Sequence, residues 1–380
     1  MWIHKHQNWP NFTWSTDALS NKLANIRHRQ GRLLGRMEGI GFELKRETSL
    51  NTLTNDVVKS TAIEGETLNP EEVRSSIARR LGIDIEGLVP VNRAVEGIVE
   101  LMLDATQMFL QPLTKERLFG WHAVLFPSGR SGMHRITVGG WRTIDAGPMQ
   151  VVSGPIGSEK IHFEAPSADK LELEMKAFIK WFEQQDDIDP VLKAGIAHLW
   201  FITIHPFEDG NGRIARAIGD MALARADSTS ERFYSLSSQI EFERKNYYEQ
   251  LERQQRSSLE ITGWLEWFLD CLGRAISSAE ITLSNVLFKA KLWNLINKKP
   301  VNERQRLIIN LMLENDFKGY MNTSKYAKLT KCSNDTALRD IQDLKTREIL
   351  VQNPGKGRST SYQLIKEISD HVFALNTPMM

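Results

Sequence analysis

The sequence predicts a mainly α-helical chain with one small β-hairpin and a separate C-terminal unit of short helices and a second hairpin. Three observations lead there. Apolar residues recur at helical spacing, between capping side chains, along most of the chain before Lys298-Lys299-Pro300. β-Branched residues and glycine concentrate together between Gly129 and Gly157. After Pro300 the pattern changes. At 380 residues the chain has room for two or three domains with a sizeable core.

Taken in order, the aromatic opening MWIHKHQNWPNFTW reads as a packed cap rather than a metal site at His4 and His6, since no carboxylate or cysteine adjoins them. Leu19, Leu23, Ile26, Leu33, Leu34, Met37 and Ile40 predict one long helix from Thr16 to about Arg46. Val57, Val58, Thr61 and Ile63 predict a short helix stopped by Gly65. Asn69, Pro70 and Glu72 then read as N-cap, first-turn proline and capping-box carboxylate of the next. A loop from Leu81 to Pro90 precedes helices over Asn92 to Phe109 and, capped by Thr114, Leu113 to Val124. Strands at Ile136–Val138 and Gln150–Val152 would form the hairpin, and a helix follows from Asp169 to about Gln184.

DPVLKAGIAHLWFITI is apolar nearly all round, with Asp189 as N-cap and Pro190 at the first position, so it belongs at the centre of the core. His205-Pro206 ends that helix, because a residue before proline is pushed from the α region. Another helix starts near Asn211 or Gly212, with Ile214, Ile218 and Met221 on one face. Beyond it, SSQIEFERKNYYEQLERQQ and Gly263 to Leu283 read as two more helices.

The stretch HPFEDGNGRIAR, from His205 to Arg216, has the composition of a polyphosphate site with a proton acceptor beside it. A glycine turn feeding a helix N-terminus presents unpaired backbone N–H groups and a positive dipole end. Gly210 and Gly212 let backbone approach an anion closely. Asp209 offers hard oxygens suited to Mg²⁺. Arg213 and Arg216 are three apart, so both can serve one anion. His205 is a candidate general base.

The stretch resembles the signature HxFx(D/E)GNGRxxR of Fic-domain proteins at every fixed position. The family mostly transfers AMP from ATP to a hydroxyl side chain of a target protein. By position, the resemblance implies that His205 deprotonates the hydroxyl and Asp209 holds Mg²⁺. It also implies that Asn211 and the turn amides of Gly210 and Gly212 cradle phosphates, while Arg213 and Arg216 bind the β and γ groups. The Gly129–Gly157 region would be the flap that pins the target's main chain, with Val152 touching the nucleotide. Tyr248, beside Tyr247, either stacks near adenine or packs against the protein. The aromatic opening is similar to that of the helical module preceding Fic domains in a bacterial subfamily. The implied layout is an N-terminal helical module over 1–89, a Fic catalytic domain over 90–275, a helical linker over 276–299 and a further domain over 300–380.

Ser60 and Glu64, four apart on one helix face, belong to STAIEG, which is similar to the inhibitory motif (S/T)xxxE(G/N) of regulated Fic proteins. The implied role is an ion pair from Glu64 to Arg216 that occupies the arginine meant for the γ-phosphate, so Glu64 also counts among the nucleotide-site residues. A glutamate so placed could also activate water to remove AMP from a modified target.

In the last domain, helices over Arg304 to Glu314, Asn322 to Leu329 and Ser333 to Arg347 precede strands at Ile349–Val351 and Ser361–Leu364. That order resembles a winged helix-turn-helix. Lys325, Lys331, Arg339, Lys345, Lys356 and Arg358 could meet phosphates, yet Asp335, Asp340, Asp343 and Glu348 dilute the third helix, leaving DNA contact and protein contact both open. The net charge of +1 argues against bulk nucleic acid as a dominant partner. Cys271 and Cys332 give neither a disulfide framework nor a metal pattern. With no signal peptide and no run of about 18 apolar residues, the expected location is cytoplasmic, without a membrane partner. The expected function is a self-inhibited, Mg²⁺-dependent protein adenylyltransferase, with self-modification and a homodimer open. The rival reading is a DNA-binding regulator whose Fic domain senses ATP.

Overall fold

The computed structural model describes residues 1–144, 147–155, 158, 160–296, 300–313, 317, 319–354 and 360–364. The chain divides into two compact units, Met1–Ala279 and Glu280–Met380.

The first unit is helical, as expected. Its centre is α7 (Pro190–Ile204), in which thirteen residues from Val191 to Ile204 are buried, including His198 and Thr203. Asp189 caps it, accepting from Val191 N at 2.8 Å. α8 (Asn211–Asp227) packs against α7 and buries most of its length. Around this pair lie α4 (Arg93–Gln107), α5 (Lys115–Leu125), capped by Thr114, and α6 (Leu171–Glu183). The aromatic opening is a cap: Trp9 and Phe12 meet Trp200 edge-on, and Trp2 and His4 meet Phe163.

Several expectations need correction. The helix foreseen from Thr16 to Arg46 is two, α1 (Thr16–Glu38) and α2 (Phe42–Ile63). Gly39 caps the first and Gly41 starts the second; two glycines so close favour a break over helix continuation. The short helix before Gly65 is thus the end of a long one, which packs on α3 (Pro70–Leu81). Asn69 caps α3, but the Glu72 carboxylate accepts from Asn92 N and Nδ2 at 3.2 and 2.7 Å instead of closing a capping box. The helix after the motif breaks at Glu243 into α9 (Leu236–Phe242) and α10 (Arg244–Gln255). Glu243 leaves helical geometry (φ −111°, ψ 33°) while its carboxylate takes the Arg274 guanidinium at 2.6 Å. α11 runs further than foreseen, over Thr262–Ile296.

The hairpin is also differently paired. Ile136–Val138 is not a strand: Ile136 N bonds to Gly129 O, Thr137 N to the Glu208 carboxylate, and Gly139 follows at φ 67°. A two-residue ribbon, β1 (Arg130–Ser131) with β2 (His134–Arg135), precedes it. The main flap pairs β3 (Gln150–Ser153) with β4 (Lys160–Glu164), antiparallel. Val151 faces Phe163 and Val152 faces Ile161, so His162 is the extra residue of a β-bulge.

The second unit shows the foreseen element order: α12 (Glu303–Met312), α13 (Thr323–Thr330), α14 (Asn334–Thr346), then β5 (Leu350–Gln352) paired with β6 (Tyr362–Leu364). Ile308, Ile309, Tyr326, Ala337, Ile341 and Leu344 form its core. Asp340 is turned inward, accepting from Arg304 Nε at 2.8 Å, Asn302 Nδ2 at 2.9 Å and Tyr326 Oη at 3.1 Å, so it does not dilute the outer charge of α14. Lys345 donates to Gln352 Oε1 at 3.2 Å. Lys356 and Arg358 lie outside the described residues. No helix among the described residues is long and apolar enough to cross a membrane.

Candidate active site

His205 ends α7 in the left-handed region (φ 52°, ψ 58°), not the extended backbone expected before proline. Its N–H donates to Phe201 O at 3.0 Å and its carbonyl accepts from Arg142 Nε at 2.8 Å, so backbone bonds on both sides hold an otherwise costly conformation. The ring Nδ1 donates to Ile202 O at 3.1 Å, which leaves Nε2 as the unprotonated nitrogen. Burial, with the Arg142 cation assisting, lowers its pKa from 6.5 to about 4. A neutral imidazole at physiological pH is the form a proton acceptor needs.

The turn that follows is pinned from inside. Phe207 is fully buried and stacks on His122, with ring centroids 4.2 Å apart. Gly139 N–H donates to His122 Nδ1, so His122 Nε2 carries the proton and donates to Asp209 O at 3.2 Å. Asn211 clamps Phe207, accepting from its N–H at 3.0 Å and donating to its C=O at 2.8 Å. The Asn211 side-chain amide thus holds the turn. Gly210 (φ 80°) begins α8, and a side chain there would collide with Phe126 as well as strain the backbone. The first-turn N–H groups of α8, from Asn211, Gly212 and Arg213, have no intrahelical acceptors.

The two arginines diverge. Arg216, 3% exposed, donates from Nη2 to Glu64 Oε1 at 2.6 Å and to Ser60 O at 2.7 Å, and from Nε to Ser60 Oγ at 2.8 Å. Burial opposes its charge, and Glu64 more than offsets that, so its pKa rises. Arg213 instead lies over the Phe126 ring, 5.2 Å from its centroid, with Glu66 Oε2 at 3.4 Å from Nη1. Phe126 and Glu66 are thus the partners of Arg213, whereas those of Arg216 are Glu64 and Ser60. Gly212 makes room for the acid: a Cβ there would stand 2.1 Å from Glu64 Oε1.

Glu64, His205, Asp209 to Gly212 and Arg216 line one cavity of about 670 Å³, roofed by Val152 of β3 and Tyr248 of α10. Val152 is 47% exposed. Tyr248 donates from its hydroxyl to Ile63 O at 3.2 Å, at the end of α2. Tyr247 is buried instead, its hydroxyl hydrogen-bonded with His198 Nε2 at 2.9 Å. Asp209 accepts from Ser131 Oγ and from Gly210 N. Among the described residues no group of three or more His, Cys, Asp or Glu could cage a metal. A single carboxylate at a phosphate cradle suits Mg²⁺, which commonly takes one or two carboxylates and completes its shell with substrate oxygens and water.

Sequence reasoning missed Arg142, Ser131, His122 and Glu66. Arg142 is 3% exposed, bonds to the carbonyls of His205 and Pro166, and has its pKa pushed down to about 10 by burial. Only its place in the glycine-rich segment hinted at a site.

Comparison with known proteins accords with this geometry. Residues 112–223 match the family described as Fic/DOC. Residues 2–83 match a domain of unknown function, DUF4172. Protein adenylyltransferase fic-1 of Caenorhabditis elegans is 26% identical over 193 residues, 48% of this chain and 35% of that protein. Protein adenylyltransferase Fic of Nematostella vectensis is 24% identical over 224 residues, 58% of this chain and 47% of that one. The chain thus spans less than half the length of these relatives. The crystal structure of a Fic family protein from Desulfovibrio desulfuricans G20 superposes with a TM-score of 0.54 at 19% identity, covering 94% of this chain and 98% of that one. The Fic fold is shared.

Proposed function

We propose that the Fic domain moves AMP from Mg-ATP to a hydroxyl side chain of a target protein, and that Glu64 restrains it. The observation that carries the reading is the Glu64–Arg216 ion pair, 2.6 Å long, at the cavity that also holds His205. His205 Nε2 takes the proton of the incoming hydroxyl. The hydroxyl oxygen attacks the α-phosphorus and pyrophosphate leaves. The first-turn amides of α8, and Arg216 once released from Glu64, receive the negative charge of the β and γ groups. Mg²⁺ would be held by Asp209 with the nucleotide's own phosphates, and bound there it would neutralise phosphoryl charge. The β3–β4 ribbon offers an edge for strand addition by the target's main chain. In this reading the same glutamate also activates water against a modified target, with removal of AMP as a companion activity.

Labelled ATP tests this. Glu64→Gly should raise labelling of the chain or of added protein by about tenfold or more, if at least ~1.4 kcal/mol of ion pairing must first be broken. Adding His205→Ala to that variant should lower transfer to added protein by roughly 10²–10⁴-fold. Equal labelling of wild type and Glu64→Gly would remove the restraint from the reading, and transfer to added protein that survives His205→Ala would remove the base. A DNA-binding role for the second unit is the separate alternative, read by a gel shift with genomic fragments.

A further inference from the structure

The same cavity is lined by a second set of reactive groups that the reading above does not use. Ser153, on β3, is exposed and lies within 2.6 Å of His162 Nε2, on β4. The other nitrogen, His162 Nδ1, lies 2.6 Å from Glu252 Oε2, on α10. A carboxylate can only accept, so Nδ1 carries the ring proton and Nε2 accepts from the serine hydroxyl. Burial alone would raise the Glu252 carboxyl, but the His162 bond and the cations Lys160 and Arg256 outweigh it and hold its pKa below the ordinary value. The geometry is that of hydroxyl, imidazole and carboxylate in line: a nucleophile, its base, and the group that orients the base. The β-bulge matters here, since it makes His162 the residue without a cross-strand partner. All three residues line the cavity that holds His205 and Arg216.

We infer that Ser153 is a His162-activated nucleophile and the chain's own acceptor of AMP. This rests on the adenylyltransfer reading, which it deepens by naming the acceptor. In the step, Ser153 Oγ forms a bond to the α-phosphorus of ATP, the bond from that phosphorus to the pyrophosphate oxygen breaks, and the hydroxyl proton passes to His162 Nε2. Glu252 stabilises the imidazolium that results. A target hydroxyl arriving from outside depends on His205 for its base; Ser153 carries one of its own. An adenylylated Ser153 would place its nucleotide at the flap, in the path of the main chain the flap is meant to hold.

The full-length Glu64→Gly protein, incubated with Mg-ATP and mapped by mass spectrometry, should carry AMP on Ser153. Ser153→Ala should lose that site, and His162→Gln or Glu252→Gln should lower its occupancy by tenfold or more, as expected for loss of a general base or its orienting partner. A nucleotide-free arm uses a fluorophosphonate probe for activated serines: wild type should react at Ser153 and His162→Gln should not. AMP found only on other residues overturns Ser153 as acceptor while leaving adenylyltransfer intact. No AMP on this chain or on added protein removes that reading and the acceptor role together. A Ser153 no more reactive to the probe than in His162→Gln overturns the activation, whatever the nucleotide arm shows.

Discussion

The turn from His205 to Gly212 and the last turn of α2 face the same cavity but are held by different physics. The turn is built from inside, by the Asn211 clamp, the Phe207–His122 stack and the Arg142 bonds, all on buried groups. Beyond buried Ile63, the end of α2 is tied across the cavity by polar contacts: Arg216 on the Glu64 carboxylate and on the Ser60 carbonyl and hydroxyl, Glu66 near Arg213, and the Tyr248 hydroxyl on Ile63 O. The first kind of contact defines a site permanently. The second can be exchanged for another anion without disturbing the core, which is what a nucleotide-competed restraint requires.

The sharpest way to break this contrast is Asn211→Ala. It strands a buried N–H and C=O of Phe207, at roughly 1–3 kcal/mol each, so thermal unfolding should fall by several degrees and transfer should collapse with it. Glu64→Gly should behave oppositely. Arg216 loses its carboxylate, so the apo variant melts below wild type, and Mg-ATP should restore it by more than it stabilises wild type. Equal nucleotide shifts in the two proteins would show that Glu64 and phosphate do not compete. A smaller effect comes from pH. His198 and His122 have folded pKa values lowered by burial to about 3 and about 4 from 6.5. As pH falls below 6.5 the unfolded chain takes the protons first, so stability drops between pH 6.5 and about 4, by up to about 1.4 kcal/mol per pH unit for each group. His198→Gln should flatten that slope in a melting series. The smallest effect should be Glu66→Gln: its carboxylate is 57% exposed, and such pairs contribute about 0.2–1 kcal/mol, so basal labelling should rise no more than about fivefold.

Much of this was legible in the sequence. The caps at Asp189, Thr114, Asn69 and Ser333 act where local side-chain chemistry put them, because an N-cap bond spans only two or three residues. Ser60 and Glu64 reach Arg216 together because four residues make one helical turn. What failed was set by distant partners. The strand that pairs with Gln150–Ser153 lies in IHFE, whose apolar residues did not distinguish it from a helix lead-in. The break at Glu243 depends on Arg274, and the role of Arg142 depends on carbonyls more than twenty positions away. No local pattern encodes such meetings.

The helix that ends in Glu64 is not an appendage. Leu50, Leu53, Val57 and Ile63 along it are fully buried, and Asp56 at its middle takes the Ser235 hydroxyl inside the protein. Pulling α2 away would open the hydrophobic interior, so a switch cannot work by detaching it. If Glu64 restrains the site as proposed, its release has only the final half-turn beyond Thr61 to work with, including Gly65 at φ 89°. An activator therefore has a small and specific place to touch.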